Sequence, residues 1–286
     1  MSVRPDIRES PNYFAQLVAL IGLSATQLVQ SPSSSRRAEA ARRLLRQSLL
    51  LVVIVGAAIV VLMYAVDARE ISLMPPRGTA SLRPVRIFTD FGKAALVLWT
   101  LAVMMFAVAI VSPRLQGTSR SLLLRFGTHL EFLFFAVLVP VLSGEVIKWI
   151  VGRGRPFVGG EANTFNFVHF AGTDAYASFP SAHAITSFAL AFAVSAVWPK
   201  ARIPMILYAV LIAASRLVLL AHHPSDVVAG ALVGVVGAMG VRYWFAARRL
   251  GFAIGHEGAI APLTGPRWGL AKGLPARRQP HKKRTP

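Results

Sequence analysis

The chain has 286 residues, 55% of them hydrophobic, and a mean hydropathy of +0.56, which is too apolar for an ordinary soluble domain and leaves room for several membrane spans. Its formal net charge of +19 comes from Lys and Arg that flank apolar runs, so anionic membrane lipid is the expected partner and nucleic acid is not. Cysteine is absent, which removes disulfides, thiolate nucleophiles and Cys-based metal sites.

In chain order, the first apolar stretch is Tyr13–Val29. Phe14, Leu17, Val18, Ile21, Ala25 and Leu28 recur at helical spacing, while Gln16, Ser24, Thr26 and Gln27 interrupt the run. This pattern predicts an interfacial amphipathic helix rather than a span. It lies too far in, and is too long, for a secretory signal peptide. Ser31 to Ser35, with Pro32, reads as a linker before the basic approach Arg36–Arg46, so residues 1–46 form an N-terminal cytoplasmic segment.

Gln47–Val66 and Ala94–Val111 are uncharged runs long enough to cross about 30 Å of hydrocarbon. Four further candidates are less uniform. Phe132–Val151 carries Glu145 and Lys148 near its end, Ala184–Trp198 is short, Ile203–Ala221 contains Arg216, and Val227–Ala246 includes Arg242. Ionisable groups inside spans are costly and face polar cavities, so a site is to be sought on these irregular members. The expected fold is all-α, a six-transmembrane helical bundle over residues 47–246. From Gly251 onward the chain has no helical period, and residues 247–286 are expected to be a basic disordered tail.

If the N-terminus is cytoplasmic, the segments 1–46, 112–131, 199–202 and 242–286 share its side and hold 22 of the 31 Lys and Arg. The positive-inside bias then places both termini in the cytoplasm. The third span ends, the fourth begins, the fifth ends and the sixth begins on the other face. Three motifs sit at those four ends: Lys148-x6-Arg155-Pro156, Pro180-Ser181-Ala182-His183 and Ser215-Arg216-x5-His222-x3-Asp226.

The residue types suit a phosphate ester. A phosphate monoester is a dianion near neutral pH, and Lys148, Arg155 and Arg216 are three cations able to offset its charge. Arginine's planar fork takes two phosphate oxygens at once, and lysine supplies a compact point charge. Ser181 can cap the helix that follows it, leaving first-turn N–H groups, including that of Ala182, to face an anion beside His183. Pro224 suits a first helical turn, which places His222 just before it and Asp226 within it. A carboxylate near one imidazole nitrogen fixes the tautomer and frees the other. Spacing alone does not separate His222 from His223; only the register from Ser215-Arg216 favours His222, leaving His223 as a substrate-facing or stacking candidate.

Two histidines and an aspartate can also ligate zinc, but three surrounding cations repel a divalent ion, so neither a metal nor a cofactor is expected. Glu145 precedes Lys148 by one helical turn and reads as its ion-pair partner. His129 and His169 lie outside any motif and read as structural or surface residues. Gly230, Gly234, Gly237 and Gly240 form a small-residue face suited to close packing within the bundle.

These three motifs resemble the signature of the type 2 phosphatidic acid phosphatase (PAP2) superfamily in order and internal spacing, over about residues 94–246. The resemblance implies a membrane phosphatase in which His222 is the nucleophile that forms a phosphohistidine and His183 is the general acid. It also implies that Lys148, Arg155, Ser181, the Ala182 backbone and Arg216 bind phosphate. Ala182 departs from the family, which most often has glycine there, and bears on substrate scope. The lipids that fit a membrane-embedded site of this kind include phosphatidate, phosphatidylglycerophosphate, undecaprenyl diphosphate and lipid A phosphates. The expected location is the extracytoplasmic face of a bacterial inner membrane. A phosphotransferase with a lipid or sugar acceptor, and a non-enzymatic lipid-binding or transport protein of the same fold, are the alternatives.

Overall fold

Apolar runs in hydrocarbon must satisfy every backbone polar group internally, and helices do so within a single segment. The computed structural model describes residues 13–29, 37–75, 79–159 and 163–263, and these are mostly helical. Nine α-helices run through the described residues. They are α1 (Tyr13–Val29), α2 (Arg37–Ala65), α3 (Asp67–Leu73), α4 (Arg83–Thr89), α5 (Ala94–Val111), α6 (Gly117–Val151), α7 (Ala182–Val197), α8 (Arg202–Val218) and α9 (Pro224–Ala247).

Five segments are long and apolar enough to cross a membrane: Arg37–Ala65, Ala94–Arg114, Gly117–Val151, Pro199–Val218 and Pro224–Ala247. The expected span Ala184–Trp198 corresponds to α7, whose 16 residues reach only about 24 Å at 1.5 Å per residue. Two helices begin well before their expected spans. Helix α2 begins at Arg37, because the basic approach continues the first span's helix instead of preceding it. Helix α6 starts at Gly117 and runs for 35 residues, with Pro140 accommodated inside it. The expected linker at Ser31 to Ser35 lies outside the described residues.

Helix α1 has the bounds that its pattern predicts and buries none of its residues. Tyr13 Oη donates to Ile110 O at 2.8 Å, and Ser24 Oγ donates to Glu131 Oε1 at 2.9 Å, so it lies along α5 and α6. Phe14, Val18 and Ile21 face away from the protein, leaving one apolar side open.

Helix α9 is central, packed on α2, α6 and α7. Its glycines are the reason. A methyl group at Gly230 would stand 2.5 Å from Ser181 O, one at Gly234 2.5 Å from Ile185 O, and one at Gly237 2.7 Å from Pro140 Cβ. The small-residue face therefore serves packing within the bundle at these three positions, while Gly240 has open space around it.

The C-terminal expectation needs correction. Residues after α9 form a two-stranded antiparallel hairpin, β1 (Phe252–Ile254) paired with β2 (Ile260–Pro262). Phe252 is buried with its ring 4.7 Å from that of Phe132, edge to face, and Leu250 is buried beside it. One aromatic anchor and a short backbone ladder give this stretch the order that its composition hides. Residues 264–286 of the expected tail lie outside the described residues.

Candidate active site

The three motifs come together at one end of the bundle. Helix α6 delivers the first. It stops at Gly152, whose φ of +57° and close approach to Val168 (a methyl group would stand 1.8 Å from Val168 O) admit only glycine. Lys148, in the last turn, pairs with Glu145 one turn earlier, as the spacing predicts. The chain beyond folds back on itself through Val168 N to Gly152 O at 2.7 Å and Gly154 N to Asn166 O at 2.8 Å. Arg155 emerges from this return, its Nε donating to Asp174 O at 2.8 Å and its Nη1 to Ala221 O at 3.5 Å. The second bond ties the first motif to the loop carrying His222.

Ser181 is the N-cap residue of α7, but its hydroxyl makes no capping bond. Its Oγ is buried with no partner among the described residues, and the same holds for His183 Nε2. Ser181 N donates instead to Asp226 O at 2.9 Å, which locks the start of α7 to the first turn of α9. His183 stands within electrostatic range of Arg216, Lys93, Asp90 and Lys148.

Arg216 lies in the last turn of α8, and Ala221 N donates to its carbonyl at 3.0 Å as the chain turns toward α9. His222 Nδ1 lies 2.8 Å from Ser178 O. A carbonyl oxygen only accepts, so Nδ1 carries the proton and Nε2 keeps its lone pair. The Asp226 carboxylate, expected beside this ring, is 4.0 Å from Nδ1 and is engaged elsewhere. Its Oδ1 accepts from Arg153 Nη1 at 2.6 Å, and its Oδ2 accepts from Ser178 Oγ at 2.6 Å and from His223 N at 2.9 Å. Asp226 thus reaches His222 through Ser178.

Burial, with Arg216 and Arg155 nearby, holds the His222 imidazole well below its ordinary range, against the opposing bond to the Ser178 carbonyl. The two adjacent histidines separate by environment. His222 lies in the field of Arg216, Arg155 and His183, whereas His223, fully buried, lies in that of Asp226, Arg153 and Asp67. The ring in the field of the phosphate-binding candidates is His222, while His223 lies in that of the buried acids.

Several residues that the motifs omit complete the site. Arg153, wholly buried, donates from Nη1 to Ser225 Oγ at 2.6 Å and from Nη2 to Asp67 Oδ2 and Thr164 O, each at 2.8 Å. Asp67, at the start of α3, also accepts from Ser225 N at 3.0 Å. Thr89 Oγ1 accepts from Arg216 Nη1 at 3.1 Å and lies 2.9 Å from Ser215 Oγ. Gly92 lies against His183, where an added methyl group would come within 3.3 Å of the ring. Asp67, Thr89 and Gly92 all precede the motif-bearing region. A signal existed for one of the missed residues: Arg153 stands between two glycines two residues before Arg155. Alongside this wall a cavity of about 410 Å³ is lined by Thr79, Ala80, Arg83, Arg86, Ile87 and Asp90.

Chemically, the arrangement offers an unprotonated imidazole nitrogen, a second imidazole with an unpartnered nitrogen, a bare hydroxyl and three cations. Buried polar groups without partners are uncommon in folded proteins, and an oxyanion would satisfy both Ser181 and His183.

Comparison with known proteins bears on this geometry. The family model of the PAP2 superfamily matches residues 130–250. The chain is 30% identical over 190 residues to a lipid A 1-phosphatase of Rhizobium johnstonii, covering 66% of this chain and 74% of that protein. It is 31% identical over 163 residues to a lipid A 1-phosphatase of Rhizobium etli, covering 54% and 70% respectively. No solved structure matches the chain.

Proposed function

Because the chain belongs to the PAP2 superfamily, we propose that it is a membrane lipid phosphatase acting through a phosphohistidine. The observation that carries this reading is the pair of buried, unpartnered groups, Ser181 Oγ and His183 Nε2, set in the same cluster as an imidazole whose Nδ1 proton is already engaged. Lys148, Arg155 and Arg216 offset the charge of the phosphate dianion. Ser181 Oγ and the first-turn N–H groups of α7, beginning at Ala182, hold its oxygens.

His222 Nε2 attacks phosphorus and the bond to the lipid oxygen breaks as His183 passes that oxygen a proton, releasing the dephosphorylated lipid. The bound dianion offsets the neighbouring cations and so favours the imidazolium that His183 must be at this point. Water then attacks the phosphohistidine, His183 takes its proton, and inorganic phosphate leaves. Asp226 acts on His222 through Ser178.

Six spans, with α7 as the short one, bring the site to the face opposite both termini, which the charge bias assigns to the extracytoplasmic side of a bacterial inner membrane. In this topology the motif-bearing core 94–246 is completed by α2 and α3. The relatives are named for action on lipid A, so a glycolipid phosphate heads the substrate panel, followed by phosphatidate, phosphatidylglycerophosphate and undecaprenyl diphosphate.

The test is release of inorganic phosphate from that panel by detergent-purified protein in EDTA, comparing wild type with His222→Ala. Release that survives EDTA and vanishes in the variant supports the reading. Folded wild-type protein that releases phosphate only when a lipid or sugar acceptor is withheld, and otherwise transfers it, would make the chain a phosphotransferase.

A further inference from the structure

One polar cluster, built mostly from residues outside the motifs and meeting them at Asp226, is wholly enclosed in the protein and joins four separate segments. Arg153 and Asp67 each have 0% exposure, as do Ser225 and Asp226. Arg153 spends its guanidinium on Asp67, Asp226, Ser225 and the Thr164 carbonyl. Asp67 accepts from Arg153 and from both the backbone and the hydroxyl of Ser225. The cluster thereby fastens the start of α3, just past the first span, to the first turn of α9, 158 residues further along the chain.

A buried ion pair of this kind is poor evidence for stability, since removing two charges from water offsets much of their attraction. What it does supply is direction, because each acceptor lies at one point of a planar fork. The direction matters here because of where the chain of bonds ends. Asp226 holds the Ser178 hydroxyl, and the Ser178 carbonyl holds His222 Nδ1–H. No other polar contact to the His222 ring as short as 2.8 Å is found among the described residues.

From this connectivity we infer that Asp67 and Arg153 are positioning residues for the reaction, setting the His222 ring through Asp226 and Ser178. Helix α3, just after the first apolar span, is therefore part of the catalytic unit, although Asp67 lies outside all three motifs and outside the matched family region. The inference rests on the proposed role of His222 as nucleophile.

The decisive variants are Asp67→Asn, which keeps the side chain's shape and an acceptor, and Asp67→Glu, which restores the charge on a longer arm. Both are compared with wild type for kcat and KM on the best lipid phosphate, with folding checked by gel filtration and thermal midpoint in detergent. Asp67→Asn is expected to lower kcat about 100-fold, the cost of displacing a reacting group by about 1 Å, with KM unchanged. Asp67→Glu is expected to recover part of that loss. A folded Asp67→Asn protein with wild-type kcat, or one impaired in KM alone, overturns the inference.

A wild-type measurement stands behind the variants. Nitrogen-15 spectra of histidine-labelled protein should show His222 as the Nδ1–H tautomer. An Nε2–H tautomer overturns the inference even where the substituted proteins fail to fold. Absence of phosphate release from every lipid by folded wild type would instead count against the phosphatase reading, with the tautomer still deciding the link from Ser178 to His222.

Discussion

Ser178 and His222 are joined at 2.8 Å by the bond that decides which imidazole nitrogen is free, and it is a backbone carbonyl, not a carboxylate, that makes it. A carbonyl cannot be titrated, so this acceptor holds the same tautomer across the working pH range. Its placement depends on the Ser178 hydroxyl, which donates to Asp226 at 2.6 Å. Ser178→Ala keeps the carbonyl and loses that tether, and steady-state kinetics should show kcat reduced about 10-fold through a looser imidazole. Asp226→Ala is harsher, because it strips Arg153 of one of its two buried carboxylates. The expected cost is about 3–5 kcal/mol of stability, read as a lowered thermal midpoint.

Burial and the guanidinium groups of Arg216 and Arg155 keep His222 neutral where an ordinary histidine would gain a proton. Its folded pKa lies below the unfolded value, so its contribution to stability is complete above about pH 6.5 and is lost as pH falls below that toward the folded pKa. In nitrogen-15 spectra the His222 ring should remain neutral when the sample is taken from pH 7.5 to 6. A ring that titrates at its ordinary value would contradict this environment.

Glu70 behaves in the opposite sense. It is buried in α3 with neither carboxylate oxygen partnered among the described residues. Burial, with Asp67 and Asp226 nearby, raises its pKa to about 7. The raised value means that the native state holds this proton more tightly than the unfolded chain does. Its stabilising contribution is present below about pH 4.5 and is lost as pH rises through about 7. Glu70→Gln should flatten the decline in thermal midpoint expected of wild type between about pH 4.5 and 7. Parallel declines in the two proteins would assign that slope to other groups.

Helix α9 invites a matched pair of substitutions. Gly230→Ala places a methyl group 2.5 Å from Ser181 O and must push α7 away, costing about 1–3 kcal/mol and most of the activity. Gly240→Ala meets nothing within 4 Å and should leave the thermal midpoint unchanged or slightly higher, since alanine is the better helix former. Thermal unfolding of both variants, with phosphate release from the same preparations, checks the contrast.

Much of this was legible in the residues because membrane helices and motif spacing write themselves in one dimension. Helix α5 has the bounds of its apolar run, α1 those of its amphipathic pattern, and Lys148 meets Glu145 as the one-turn spacing requires. What escaped notice depends on contacts between distant segments. Nothing local to Thr89 says that it will receive Arg216, and Asp67 looks like an ordinary helix flank until Arg153 is opposite it. The position of Asp226 is a partial case. Its spacing places it near His222, but only the fold reveals that Arg153 and Ser178 take its lone pairs. Phe252 was hidden for a different reason: one anchoring ring barely alters the composition of a polar, basic stretch.

The glycines at 230 and 234 make the α7–α9 separation a matter of backbone against side-chain-free backbone, and backbone atoms have no rotamers with which to adapt. The spacing between Ser181 and Asp226 thus behaves like a machined tolerance. Selection for a new lipid headgroup has little freedom across that contact. Relatives that share the chemistry but differ in substrate should therefore diverge elsewhere before they diverge between the two helices.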